Sequence, residues 1–171
     1  MRFRNLALLA LACTPLLFLI PQGAHAVRQD NLILSSAVEG QILDHGKPVA
    51  GLKVQRIISW NMEAEPRTEI TSTDKEGRFQ FPEVRGAAEF GFLAKLFHVP
   101  TVGIDITVPI NGVDYFAYIG GRSSYKENVE TGLTQIRIKC DLKNKYLDDG
   151  IMPVIDCEVE KSEERKNFKY E

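Results

Sequence analysis

From Val38 onward, apolar and polar side chains alternate with the two-residue period of strands that bury one face. Val38, Gly40 and Ile42 alternate with Glu39 and Gln41. Asp44-His45-Gly46-Lys47-Pro48 then supplies turn residues before Leu52 and Val54 resume the pattern. Arg56 falls on the apolar phase and Ile57-Ile58 follow as a doublet, so a β-bulge is expected here to reset the phase. Residues 68–73 are polar on both faces and rich in β-branched threonine, as an edge strand would be. Asp74-Lys75-Glu76-Gly77 turns the chain into a strand with Phe79 and Phe81 inward. Val102, Ile104, Ile106 and Val108 form the clearest strand, Asn111-Gly112 marks a tight hairpin, and residues 113–119 are apolar or aromatic on both faces apart from Asp114, the pattern of a central strand. Residues 120–132 read as a long polar loop, 133–142 as the last long strand, 143–153 as a returning loop and 154–159 as a final strand.

One segment breaks this rhythm. Across residues 85–99, Phe90, Leu93, Ala94 and Phe97 fall at i, i+3, i+4 and i+7, the stripe of a short amphipathic helix closed by Pro100, although Gly91 weakens it. With eight or so short strands and regular turn signals, the expected fold is an all-β sandwich carrying this one short helix. Residues 60–67 form a loop containing the sole tryptophan. An exposed Trp60-Asn61-Met62 tip would suit a binding anchor, whereas a Trp60 folded over the end of the core is the simpler reading.

Residues 1–26 change the picture of the chain's destination. Arg2 and Arg4 precede an apolar run, Pro21 breaks it, and Ala24-His25-Ala26 fits a signal-peptidase site, so a cleaved export signal and a periplasmic protein without a stable membrane span are expected. The domain reading is 1–26 signal, 27–36 leader without a clear pattern, 37–159 sandwich and 160–171 charged tail. Removing 26 residues from 171 leaves 145, and removing two arginines leaves 19 basic against 23 acidic side chains, a formal charge of −4. This mildly acidic chain has no basic stripe to neutralise phosphates, so no nucleic-acid partner is expected.

Cys140 and Cys157 remain after cleavage. An even pair in an exported chain reads as a disulfide, and both cysteines lie on the apolar phase of their strands; two buried free thiols are the alternative. No G-x-S-x-G elbow, phosphate-cradling glycine loop or C-x-x-C pair is present, and His45 and His98 have no carboxylates at ligand spacing. Gly120-Gly121-Arg122-Ser123-Ser124 is the nearest approach to an anion nest, but it lacks a following helix and reads as a surface turn. No catalytic residue, cofactor or metal is therefore expected.

Gly40, Gly46-Lys47-Pro48-Val49-Ala50-Gly51 and Ser72-Thr73-Asp74-Lys75-Glu76-Gly77-Arg78-Phe79-Gln80-Phe81 resemble the motifs of the transthyretin-like, carboxypeptidase-regulatory-like superfamily. Phe92-Leu93-Ala94-Lys95-Leu96, the 102–119 hairpin, residues 125–130 and the two cysteines resemble a narrower group of small exported bacterial proteins. Some of that group look like immunity proteins encoded beside type VI secretion effectors, particularly lipases. The resemblance implies a transthyretin-like sandwich and a periplasmic antitoxin that binds and blocks a cognate secreted toxin.

The alternatives are an envelope accessory or carrier module for a glycan or small ligand, and a hydroxyisourate hydrolase. The hydrolases end in Tyr-Arg-Gly-Ser, whereas this chain ends Phe168-Lys169-Tyr170-Glu171. The residues expected to contact a partner are Trp60, Met62, Phe92, Phe97, Arg122 and Tyr125.

Overall fold

The computed structural model describes residues 27–90, 98–148 and 152–163. The expected signal at 1–26, positions 91–97 of the expected helix and the end of the expected tail lie outside them. Among the described residues the chain forms eleven strands: β1 (Val27–Ser35), β2 (Ala37–Asp44), β3 (Lys47–Pro48), β4 (Lys53–Trp60), β5 (Arg67–Ser72), β6 (Arg78–Phe81), β7 (Val84–Phe90), β8 (Val102–Ile110), β9 (Val113–Arg122), β10 (Gln135–Asp148) and β11 (Met152–Val159). Nine of them build one sheet in the order β3-β2-β10-β11-β9-β8-β4-β5, with β6 pairing β2. The sheet curls until β5 lies beside β6, and a separate β1–β7 ribbon packs against β4 and β8.

Period-2 patterning dictates the interior. Val38 and Ile42, Val54 and Ile58, Phe79 and Phe81, the four in-phase residues of β8, and Ile136, Ile138 and Cys140 are all buried. Gly40 sits opposite Phe79, and a Cβ there would lie 2.2 Å from the ring, so the bare backbone at this position makes room for the phenylalanine. Turns are fixed by local chemistry. The Asp74 carboxylate accepts the amides of Glu76 and Arg78, the Asp141 carboxylate accepts those of His45, Gly46 and Lys143, and Asn111-Gly112 takes positive φ at both residues, as a two-residue hairpin requires.

Four expectations need correction. The leader is not patternless: it forms β1, paired antiparallel with β7 through two register shifts, and Leu32, Ile33 and Leu34 are all buried. Residues 84–90, where the helical stripe begins, are strand. Ala88 and Phe90 face inward while Arg85, Ala87 and Glu89 stay exposed, and no helix stripe is needed to bury Phe90. The returning loop at 143–153 is largely strand, because β10 continues to Asp148 and β11 starts at Met152. A register shift between Cys140 and Lys145 absorbs the extra residues.

The expected bulge at 56–58 is also absent. β4 keeps unbroken register against β5 and β8, and Arg56 itself occupies the interior phase with no solvent exposure. Its guanidinium is tolerated there because every direction offers a partner. Nε donates to Glu69 Oε2 at 2.8 Å, the remaining nitrogens donate to Glu69, the Pro82 carbonyl, Ser35 Oγ and the Ser36 carbonyl, and the Phe81 ring lies 5.0 Å away. Glu69 comes from β5 and Pro82 follows β6, so this ion pair spans the place where the curled sheet meets itself.

Cys140 and Cys157 are directly opposite across β10 and β11 and are disulfide-bonded, with Cα atoms 4.3 Å apart, the close spacing of a non-hydrogen-bonded antiparallel pair. The bond closes a separation of 17 residues. On the chain-entropy account, Cys140→Ser with Cys157→Ser should lower unfolding free energy by about 3 kcal/mol, read as a fall in the urea midpoint with a higher m-value because the unfolded chain is no longer cross-linked.

Candidate interaction surface

The alternation that fills the interior also fixes the composition of the opposite, convex face. Ladder partners place Ile70, Gln55, Thr107, Phe116, Val154 and Tyr146 in one row that crosses β5, β4, β8, β9, β11 and β10 in turn. The next row runs Thr68, Ile57, Asp105, Ile119. An outward face of this kind is ordinarily polar, yet here Ile70, Ile119 and Tyr146 are 57%, 54% and 48% exposed. Beyond the Val154–Phe116 bridge, the single bridge between β9 and β11 among the described residues, the strands part. They leave an open cleft of about 440 Å³ lined by Ile119, Tyr146, Val154, Asp156 and Lys161. Ile119 and Tyr146 therefore border the cleft, whereas Ile70 lies beyond Gln55 and Thr107 on the far side of the row.

Asp105 stands in the middle of this face between Ile57 and Ile119. Neighbouring apolar groups desolvate its carboxylate and push its pKa above the ordinary value.

The loop after β9 is built on a second buried ion pair. The side chains of Arg122 and Glu130 are 0% and 1% exposed, with Arg122 Nη1 donating to Glu130 Oε1 at 3.1 Å. Arg122 also donates to the carbonyls of Ser124 and Lys126. Glu130 accepts the Ser36 amide at 3.0 Å and the Ser36 hydroxyl at 2.9 Å. Burial lowers the Arg122 pKa, with the charges of Glu130 and Glu83 opposing that shift. Nearby, the Tyr125 hydroxyl accepts Trp60 Nε1–H at 3.0 Å and lies 3.0 Å from His98 Nε2. The Tyr125 ring meets Trp60 edge-on and stacks on His98, which in turn packs against Phe90. Desolvation raises the Tyr125 pKa, and the bond from Trp60 works in the opposite direction.

The residues expected to touch a partner thus separate. Met62 is exposed, Tyr125 is half-buried, Trp60 and Arg122 are interior, and Phe92 and Phe97 lie outside the described residues. Trp60 folds over the core as the simpler reading held, and the Arg122 guanidinium is committed to its own loop instead of lining an anion nest. Ile57, Asp105, Phe116, Ile119, Tyr146 and Val154 were not singled out. For Ile57, Phe116 and Ile119 the signal was present in the Ile57-Ile58 doublet and in the two-faced apolar pattern of residues 113–119, whereas Asp105, Tyr146 and Val154 carried none.

The sequence matches a family described as "Domain of unknown function (DUF6795)" over residues 38–145, from β2 into β10. No curated protein matches it. Among solved structures it is similar, at 9% identity and a TM-score of 0.24, to one titled "Trapped Toxin", with 73% of this chain and 23% of that chain covered.

Two outcomes follow from this geometry. Glu130→Ala strands a buried guanidinium, so it should cost about 3–5 kcal/mol in urea unfolding, with much of the loss recovered when Arg122 is replaced by methionine in the same chain. Asp105 has a raised folded-state pKa, so the native state holds its proton more tightly than the unfolded chain does. Its charge opposes folding above that pKa and ceases to do so as pH falls below the unfolded carboxylate value. Asp105→Asn should therefore raise the urea midpoint at pH 7, and the gain should vanish near pH 3.

Proposed function

This chain belongs to the DUF6795 family, and we propose that it is a non-enzymatic periplasmic immunity protein that binds and neutralises a cognate type VI secretion effector of the lipase or phospholipase class. The reading includes a transthyretin-like ancestry for the curled sheet, carried by the glycine-rich turn at 46–51 and the hairpin at 72–81. The observation that carries it is the convex face. Exposed apolar side chains set among polar ones on a framework of paired strands are what a protein needs in order to act through its outer shape. Standard protein–protein interfaces cover about 800 Å² on each partner, and a preformed sheet face loses little entropy when it is covered. The cross-strand disulfide fits an oxidising compartment, where such bonds persist.

Neutralisation by occlusion requires no chemistry from this chain. It needs the effector's active-site mouth, or the surface that approaches the membrane, to be the part that is covered. Periplasmic co-production with a type VI lipase effector encoded beside it should restore growth that the effector alone abolishes. Equal killing with and without this protein would remove the proposal.

A further inference from the structure

The convex face has a defect as a simple hydrophobic patch, and the defect specifies what covers it. Asp105 has Ile57 and Ile119 as its direct ladder neighbours, and Gln55, Ser59, Thr107 and Gly121 occupy the adjoining register positions, so no cationic side chain of the face stands beside it. Among the described residues it makes no hydrogen bond and no ion pair. Covering this face with purely apolar surface would bury a carboxylate without a partner, which is unfavourable. Two copies of this chain packed face to face about a twofold axis would bring two such carboxylates together. A lipid surface would immerse the carboxylate among acyl chains or against anionic headgroups. A partner protein that presents a cation meets none of these penalties.

A second observation lies beside it. The next row of the sheet is Ser59, Gly103, Gly121, so the positions alongside Asp105 on β8 and β9 carry no side chain. At Gly121 the fold explains this, because a Cβ would lie 2.6 Å from the Val102 carbonyl oxygen. At Gly103 it does not. A Cβ would meet only Ser59, at 3.7 Å, in ordinary van der Waals contact, and the residue is absent from the positive-φ glycines. Glycine inside a strand is less favourable than alanine. Its use here leaves a shelf along the Ser59–Gly103–Gly121 row, bordered on one side by the Ile57–Asp105–Ile119 row, where the stem of a long side chain can lie.

We infer that Asp105, Ile57, Ile119 and the Gly103–Gly121 shelf form a socket for an arginine or lysine side chain of the partner protein, the anchor of the interface. This rests on the immunity reading for the partner's identity but not for the socket's chemistry. An arginine stem would cover the isoleucines while its guanidinium pairs with Asp105 in a desolvated setting, the composition typical of interface hot spots.

Two measurements separate the two ideas. In a methyl-detected NMR titration of the folded protein, acetyl-Leu-Arg-Leu-amide should shift the Ile57 and Ile119 methyls and bind at least fivefold tighter than its uncharged citrulline analogue. That ratio should fall to about one in Asp105→Asn. Gly103→Leu should lose the shifts while Gly103→Ala keeps a melting temperature at or above wild type. Equal binding of both peptides, or shifts confined to other residues or absent altogether, would overturn the socket.

In the growth assay, Asp105→Lys should lower protection at least tenfold, with circular dichroism verifying its fold. If wild type and Asp105→Lys protect equally, the socket is wrong and the immunity reading stands. If wild type gives no protection, the immunity reading falls and the peptide titration alone decides the socket.

Discussion

Two buried ion pairs converge on Ser35, which ends β1, and Ser36, which joins β1 to β2. Ser35 and Ser36 receive the guanidinium of Arg56 from one side, and Ser36 donates its amide and hydroxyl to Glu130 from the other. Each charged group belongs to an arginine–glutamate pair, and each pair guards a place where backbone ladders fail. Arg56 and Glu69 tie β4 and β5 to the segment after β6, where the sheet meets itself without a bridge. Arg122 and Glu130 hold the loop that closes one end of the gap between β9 and β11. Buried ion pairs are weak sources of stability because desolvation offsets their attraction. Their value here is geometric, since an alternative arrangement of the seams would strand a charge. The cost is contained because no buried side-chain nitrogen or oxygen among the described residues lacks a hydrogen-bond partner.

Where local chemistry decides the structure, the chain could be read directly. Turns at 44–48, 74–77 and 111–112, the in-phase residues of β8 and β10, the edge position of β5 and the cysteine pairing all follow from residue spacing and turn preference. Where long-range partners decide, reading failed. β1 has no alternation because Leu32, Ile33 and Leu34 are all covered, and β7 is a glycine- and alanine-containing strand whose only large inward residue, Phe90, also starts a helical stripe.

Arg56 is the sharpest case. Phase analysis assumes that an inward residue is apolar, so a charge on the inward phase suggests a slipped register, when the real answer was four partners distant in sequence. The candidate surface was half legible for a related reason. Apolar residues on both faces of 113–119 indicate a strand covered on both sides, and among the described residues only the inner side is covered.

The structure also changes how Trp60, Arg122 and Tyr125 are understood. Within the fold they act as supports, with Trp60 and Tyr125 joining the loop at 123–134 to the end of β4 and Arg122 tying that loop to Glu130.

The parallel pairing of β2 with β10 joins segments about a hundred residues apart in sequence, and β2 has β10 as its neighbour on the inner side of the sheet. Non-local closure of this kind slows folding. A chain emerging amino-terminus first would hold β2 half-paired until its last quarter arrived. Most of the chain must therefore be made before β2 gains its inner neighbour and the sheet can close.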